Sequence, residues 1–527
     1  MANHQESEYD AVIIGAGHNA IVTGVYLARA GWKVLIVERN KAAGGAVRTA
    51  EVTLPGFRHD LFATNLNLFA NSPFYAEFKD ELHKNGLEFV RSSKAFGSVF
   101  PDGDFLGISQ DMAHTLESIR GASARDAESW QDLYEQFTRT APHLFPLLGA
   151  EMPSWKLARG ILGGIRSGGF GWLTDTLKLL VSSPRDFLDM HFESEKVKAL
   201  LAVWGMHVDF APEVAGGALM CYLESMANQT NGMFIGRGGC ENLIMSLLGV
   251  YEDLGGEIMY ESEAGEIVLS SGRAAGVKLH DGRLISARRC VIAGVAPPLL
   301  FGKLIDAGSL PDSFNRAVTG YRYGPGTMMI HLALESLPEW KAGDEPKQYM
   351  YVHIAPYMKD MSQAYAEAVS GLLPSSPVLV VGQPTTVDAT RAPDGKHVLW
   401  IQVRPLPSRI VGDAAGEIDS RDWDDIKEAY ADRIIDKLDI YAPGIRRRIL
   451  FRAVFSPADL ERENPNLVEG DSTSGSHHLY QNYFMRPFPG WSRYKTPIRN
   501  LYMVGASTWP GAGVGAGSGR LLGRMLT

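Results

Sequence analysis

Asp10-Ala11-Val12-Ile13-Ile14-Gly15-Ala16-Gly17-His18-Asn19-Ala20 is the stretch that decides the fold of this chain. Asp10 to Ile14 reads as a parallel strand buried on both faces, since a continuous apolar run leaves no side for solvent. Gly15 permits a tight turn. Gly17 lets a ligand approach the backbone with no Cβ in the way. Asn19 and Ala20 open a helix, and Ala20 is the small position where that helix packs on the strand. The helix is expected to reach Ala30 and stop at Gly31.

A second unit of the same kind closes the chain: Leu501-Tyr502-Met503-Val504-Gly505-Ala506, then a loop through Gly511-Ala512-Gly513-Val514-Gly515, then a last helix. Helix N-termini carry unpaired N–H groups that favour an anion. One dinucleotide held at both ends accounts for both units, with Gly15 and Val514 in a shared crevice. Gly505, Ala506, Gly513 and Val514 are the candidate contacts at the C-terminal end.

Further out, a strand from Lys33 to Val37 ends in Glu38, at the spacing expected for an acid that binds a ribose hydroxyl pair. Arg39 beside it joins the candidate contacts. Gly44-Gly45 then offers a second close backbone approach, and Arg48 reads equally as a cation for phosphate or as a surface salt bridge. A simple nicotinamide dehydrogenase does not require this second loop, so the dinucleotide expected is a flavin.

Composition narrows the class. A chain of 527 residues exceeds what one core usually supports, so two domains are expected. The net charge of -9 argues against nucleic acid, whose phosphates need a basic surface. Three scattered cysteines form no CxxC pair, so neither a zinc site, a c-type heme site nor a disulfide framework is expected, and a reducing compartment fits. No metal is expected. Met1 to Glu8 lacks the basic and apolar regions of a leader, and no apolar run is long enough to span a bilayer, so the expected location is cytoplasmic.

On Gly15-Ala16-Gly17-His18-Asn19-Ala20 with Glu38 and Gly44 to Arg48, the chain resembles the flavin-dependent amine oxidase and phytoene desaturase superfamily. Gly236-Arg237-Gly238-Gly239-Cys240-Glu241-Asn242-Leu243 and Gln481-Asn482-Tyr483-Phe484-Met485-Arg486-Pro487 extend the resemblance over nearly the full length. Together they are most similar to the phytoene dehydrogenase-like branch, with its carotenoid desaturases, ketolases, isomerases and a pyridine nucleotide-disulfide oxidoreductase-like group. The resemblance implies an α/β fold, in which a Rossmann-like FAD-binding domain is interleaved with an α+β substrate-binding domain. The FAD domain would comprise 1–75, 232–300 and 495–527, and the substrate domain 76–231 and 301–494. It implies that Arg58 to Asn65, with Ala63, Thr64 and Asn65 as contacts, passes the isoalloxazine, and that the backbone near Ala264 lies beside adenine. No cysteine lies in the C-terminal loop, so the FAD is expected to be noncovalent.

Between these marks, Asn242 to Leu254 reads as a helix with Leu243, Leu247 and Leu254 on one face. Short strands follow, with Ser271-Gly272 and Asp281-Gly282 as hairpin turns, and Cys290 to Gly294 returns to the main sheet.

Hydride transfer to a flavin leaves a proton to be taken up. The candidate bases are His207 with Asp209 and the pair His477-His478. For each, a structural role competes with the catalytic one, and a branch member with no side-chain base is also a reading. Trp155 to Phe192 is apolar with scattered Lys and Arg. A helical cap that packs its apolar face on the domain is the favoured reading, and peripheral contact with a membrane the alternative. Tyr357 to Pro377 is expected to be a mobile insertion over the pocket.

The leading expectation is an FAD-dependent dehydrogenase or desaturase that abstracts hydride from a mostly apolar, isoprenoid- or carotenoid-like small molecule. Three rivals stand beside it. An amine or alcohol oxidase would use an aromatic cage in which Trp509 joins Tyr480 or Tyr483. A redox-neutral flavin isomerase and a non-enzymatic lipid-binding chaperone complete the set. The electron acceptor (dioxygen and a quinone are both compatible) and the oligomeric state stay open.

Overall fold

The computed structural model describes residues 8–527; Met1 to Ser7, the stretch read above as lacking a leader, lie outside them. Glu8–Ile14 forms the centre of a seven-stranded sheet. Val34–Val37 and Leu284–Ala293 flank it in parallel, with Glu257–Met259 beyond the first and Leu501–Met503 beyond the second. The antiparallel hairpin Ala264–Ser270 and Arg273–Leu279 joins the other half of Leu284–Ala293. Ser271 and Gly272 both have positive φ, as a two-residue hairpin turn requires. The strands thus come from three stretches far apart in sequence.

Side chains of Glu8–Ile14 alternate between two cores. Ala11 and Ile13 meet the helices His18–Arg29, Glu241–Asp253 and Gly517–Leu526, while Tyr9, Val12 and Ile14 join Phe301 and Phe314 on the opposite face. Both faces are covered, which is why the strand reads as continuous apolar sequence.

A second seven-stranded sheet runs Ile449–Phe455, Gly326–Leu334, His397–Leu406, Val378–Gly382, Tyr351–Ile354, Lys94–Val99, Phe105–Ser109. It is antiparallel except where Tyr351–Ile354 meets Lys94–Val99. Its two faces differ in chemistry. Ile330, Leu332, Leu379, Val381, Leu399, Ile401 and Val403 face the helix Trp423–Tyr441 in an aliphatic core. The alternate residues Met329, Tyr351, Trp400, Gln402 and Arg404 face the first sheet, where they line a cavity. Register places Met329 opposite Gln402, and Gly382 opposite both Trp400 and Tyr351.

Two segments depart from expectation. The cap reading of Trp155 to Phe192 divides: Phe187, Leu188 and Phe192 are buried in the main core, whereas in the helix Trp155–Val181 only Gly164 and Trp172 are buried. The helix breaks at Gly169, where φ is +71°, and Trp172 packs on Gly164, where a Cβ would come within 2.3 Å of its ring. Gly160 seats the helix against Leu147 of the preceding one, and Leu157 and Leu179 pack on the cores, while Trp155, Leu162, Phe170, Leu177 and Val181 face outward. Tyr357 to Pro377, expected as a mobile insertion, instead contains the helix Met358–Val369. Met358 and Met361 sit in the main core, and Tyr365 donates a hydrogen bond to Asp209.

Candidate functional site

At the N-terminal end, Gly15 turns the chain with φ +86° and the helix His18–Arg29 begins with no side chain capping it. Its first N–H groups stay available to a ligand. A Cβ on Gly17 would meet no protein atom within 4 Å, because that position opens on the cavity. The Gly44 N–H donates to the Ala16 carbonyl at 2.9 Å, which brings the second glycine loop beside the first. Gly44 has no room for a side chain, since a Cβ would lie 2.4 Å from the Val47 carbonyl oxygen.

The C-terminal loop reaches the same place. Gly17, Asn19, Ala20, Gly44, Gly45, Gly505, Ala506, Gly513 and Val514 line one cavity. His18 is bonded to the backbone of Gly513, and burial pushes its ring pKa down to about 4. Gly519 seats the last helix on the first: a Cβ there would lie 2.2 Å from the Asn19 carbonyl oxygen.

Gly15, Glu38, Arg39, Arg48 and Ala264 do not line this cavity, Gly15 serving as the turn that leads into it. Glu38 is buried, and its two oxygens accept the N–H groups of Ala16 (2.8 Å) and Asn40 (2.9 Å). A carboxylate has about four acceptor sites, so room remains for a hydroxyl donor. Arg39 donates to the Arg462 carbonyl at 3.1 Å. Arg48 pairs with Glu463 at 3.1 Å, so a phosphate there would have to displace that acid. Ala264 opens a hairpin strand opposite Leu279.

Ala63, Thr64 and Asn65 line the cavity beside the C-terminal loop. Their support was not legible in sequence. Asp60, fully buried, accepts from Thr64 Oγ1 (2.6 Å), Thr49 Oγ1 (2.8 Å), the Cys240 N–H (2.8 Å) and Arg391 Nη1 (2.7 Å). Arg391 also donates to Asp388 at 3.2 Å and to the Gly236 carbonyl at 2.7 Å. Burial alone would raise the pKa of Asp60, yet the Arg391 charge and these donors hold it below the usual carboxylate range. This buried knot ties the Thr64 segment to the Gly236–Cys240 loop.

Arg486 explains the motif that contains it. Its buried guanidinium has no carboxylate partner among the described residues and donates instead to backbone carbonyls, Ala506 at 2.8 Å and Ser476 at 2.9 Å among them. It fastens the strand end at Ala506 to the segment before His477.

The four candidate bases separate. His477 is buried behind the C-terminal loop and accepts the Ala512 N–H on Nε2 at 3.0 Å; burial holds it well below its ordinary pKa. His478 Nε2 lies 2.7 Å from the Asp209 carbonyl oxygen and 3.3 Å from the Asp209 carboxylate. Asp209 is buried, and its carboxylate also accepts from Ser476 (2.7 Å) and Tyr365 (3.0 Å). None of these three lines the cavity. His207 does, with Nε2 unpaired, and burial together with nearby His353 and Arg404 holds its ring neutral.

The far wall consists of Trp204, Met220, Met329, Tyr351 and Trp400, with Tyr351 and Trp400 stacked at 5.6 Å and 5°. Trp509, Tyr480 and Tyr483 do not contribute to it. Trp509 is buried, donates to the Ala150 carbonyl and stands 5.5 Å from Tyr483, a pair outside the cavity lining. Two charged groups on the wall escaped sequence reading, Glu224 and Arg404. Arg404 had no visible signal beyond its place in an alternating strand; Glu224 lies one helical turn after Met220.

The sequence profile described as flavin containing amine oxidoreductase matches residues 21–514. Pyridine nucleotide-disulfide oxidoreductase domain-containing protein 2 of Rattus norvegicus is 30% identical over 97% of this chain and 92% of its own length. A limonene dehydrogenase subunit from Castellaniella defragrans is 29% identical, covering 97% and 93%. An oxidoreductase structure from Methanosarcina mazei superposes with a TM-score of 0.61 at 18% identity, over 98% of this chain and 99% of that one. The glycine cradle at both termini and the full-length match agree: this chain belongs to the flavin-containing amine oxidoreductase family.

Proposed function

We propose that the protein is an FAD-dependent dehydrogenase or desaturase that holds FAD noncovalently and removes hydride from a mostly apolar organic molecule. The observation that carries this reading is a single cavity with two unlike ends. One end is backbone: Gly17, Gly44, Gly45, Gly505 and Gly513 beside an uncapped helix N-terminus. That chemistry suits the pyrophosphate of a dinucleotide better than a mononucleotide. The other end is aromatic and thioether surface, which suits an apolar substrate. No cysteine lines the cavity, in keeping with a noncovalent flavin. The limonene dehydrogenase relative, 29% identical, is named for a hydrocarbon substrate and supports the same class.

The bound flavin supplies the two-electron acceptor. The chain's own part is to orient it and exclude water. Gly513 to Ala516 lead into the last helix, and the N–H groups at its start would help hold the flavin and favour negative charge on it. Anaerobic spectroscopy of purified protein against isoprenoids, amines and alcohols is the test. Bleaching by an isoprenoid supports the reading, while peroxide release on an amine replaces it with an oxidase. We divide the chain as FAD domain 1–75, 232–300 and 495–527, with the remainder binding substrate.

The outward face of Trp155–Val181 we assign to an anionic membrane surface from which such a substrate enters. Lys156, Arg159, Arg166 and Lys178 against Asp175 make this helix basic on a chain of net charge -9. No helix among the described residues is long and apolar enough to cross a membrane.

A further inference from the structure

Helix Ala218–Asn231 presents Met220 and Glu224 one turn apart, and both line the cavity. Glu224 is the sole Asp or Glu among the lining residues described. Burial pushes its carboxyl up to about 7, and among the described residues no hydrogen-bond donor or ion-pair partner reaches it, while its charge is felt by Tyr351. It is only half-buried by surface exposure, because it opens into the cavity. An unpartnered carboxyl facing an aromatic chamber is costly to the fold. Groups of this kind cluster at sites of chemistry.

Three other elements add titratable or charged groups to the same cavity lining. Tyr351 projects from Tyr351–Ile354, His207 follows the helix Glu195–Met206, and Arg404 projects from His397–Leu406. Arg404 makes no ion pair with Glu224 and donates instead to the His207 carbonyl. On its own helix, Cys221 turns toward the Ala202 carbonyl, and Tyr222 donates to the Leu133 carbonyl at 3.5 Å.

We propose that Glu224 takes the proton released when substrate is oxidised in this cavity; the inference rests on the hydride-abstraction reading above. The substrate loses two hydrogens from adjacent carbons. One C–H bond would break with its electron pair leaving as hydride, for which the flavin held by the glycine cradle would supply the two-electron acceptor. The neighbouring C–H bond breaks and its electron pair becomes the new C=C bond. Its proton bonds to a Glu224 carboxylate oxygen. His207 is the competing acceptor in the cavity. Its imidazolium form is strongly disfavoured by burial and by the Arg404 charge, whereas Glu224 is held near 7, where a base both accepts and releases a proton readily. Three of the four bases expected from sequence lie outside the cavity, which leaves Glu224 the better placed.

The test compares flavin-loaded wild type with Glu224→Gln and Glu224→Asp. Substrate-driven bleaching is followed anaerobically across pH, using whichever isoprenoid bleaches the wild type. Wild type should speed up as pH rises through about 7, since only the ionised carboxyl accepts a proton. Glu224→Gln should keep its flavin content and substrate affinity, slow by about 100-fold or more, and lose that pH dependence. Glu224→Asp should retain part of both. A second readout needs no turnover. The infrared band of a protonated carboxyl should disappear with a midpoint near 7 in substrate-free wild type and be missing from Glu224→Gln. An unchanged rate and pH profile in Glu224→Gln overturns the proposal. So does a loss confined to substrate affinity, which would make Glu224 an anchor for a cationic substrate, and so does the lack of a titrating band. If no compound bleaches the wild type while the band titrates, the hydride reading fails and takes the proton step with it, but the carboxyl assignment stands.

Discussion

The Gly519 N–H donates to Asn19 Oδ1 at 3.1 Å, joining residues 500 positions apart in sequence. Thr23 Oγ1 adds a bond to the Gly519 carbonyl at 3.2 Å, so first and last helices are stitched through backbone on one side and short polar side chains on the other. The ligand cradle exists only while this seam is closed. A Cβ at Gly519 would also crowd Val22, at 2.9 Å. Gly519→Val should therefore separate the helices, cost about 1–3 kcal/mol of stability as overpacking, and reduce the flavin-to-protein ratio after gel filtration. Full flavin retention with an unchanged melting temperature would contradict the seam.

Gly17 behaves in the opposite way. Its Cβ direction is empty of protein, so Gly17→Leu should leave the stability of flavin-free protein within about 0.5 kcal/mol of wild type. The same side chain would fill the space where the pyrophosphate is assigned. Flavin binding, followed by titration of the stripped protein, should be abolished while the fold remains intact. The pair Gly17→Leu and Gly519→Val thus distinguishes loss of a ligand contact from loss of the seam.

Much of this was legible because backbone rules are local. The strand, Gly15, Gly17 and Glu38 are fixed by spacing within one βαβ unit, and the structure places Glu8–Ile14, His18–Arg29 and Val34–Val37 accordingly. Glu241–Asp253 and the Ser271-Gly272 hairpin turn followed from periodicity and turn chemistry for the same reason. Of the cavity's far wall, Trp204 and Met220 lie in helical runs whose apolar content fits a pocket lining as well as a core, but the strand-borne part was not legible. Met329 and Trp400 are alternate residues of the strands Gly326–Leu334 and His397–Leu406, whose two faces are both buried. Periodicity reports burial and cannot tell which buried face meets a ligand. Glu224 was invisible for a related reason: a single acid on a short helix looks like a solvent contact until the opposite wall is known.

Arg391 offers a sharper stability test than any surface pair. It is fully buried between Asp60 and Asp388, and its removal would strand two buried carboxylates. Arg391→Met should cost about 3–5 kcal/mol, which is the penalty for breaking a buried pair and exceeds the net worth of the pair itself. Thr64 hangs from Asp60, so flavin affinity should fall together with stability. Double replacement of Arg391 by Met and Asp60 by Asn should recover part of the loss in chemical denaturation, because one stranded charge is gone.

Acid sensitivity has a local source at Asp413. Burial would raise its pKa, but the Arg433 fork (2.7 and 2.6 Å) and the N–H groups of Glu417 and Ile418 pull it to about 2. A carboxyl depressed in the folded state stabilises above its unfolded pKa of about 4, and that contribution vanishes as pH falls toward 2. Arg433→Met should therefore lower stability by about 1–2 kcal/mol at neutral pH and flatten the decline between pH about 4 and 2. Urea melts at a series of pH values would show it, and an unaltered acid limb would count against the assignment.

The exposed helix makes the most direct prediction about where the protein acts. Trp155 is 84% exposed, Phe170 74% and Leu162 65%, an arrangement that water penalises and a bilayer interface rewards. Burying three such side chains is worth about 1.5–3 kcal/mol each, and nearby Lys and Arg add about 1 kcal/mol each on an anionic surface. The protein should co-sediment with phosphatidylglycerol vesicles, far less with phosphatidylcholine, and release as salt rises. Trp155→Ser with Phe170→Ser should abolish binding while flavin content holds, since neither side chain is buried in a core. If the same double variant instead converts a dimer to a monomer with no vesicle binding in either form, the face belongs to a second copy of the chain rather than to lipid.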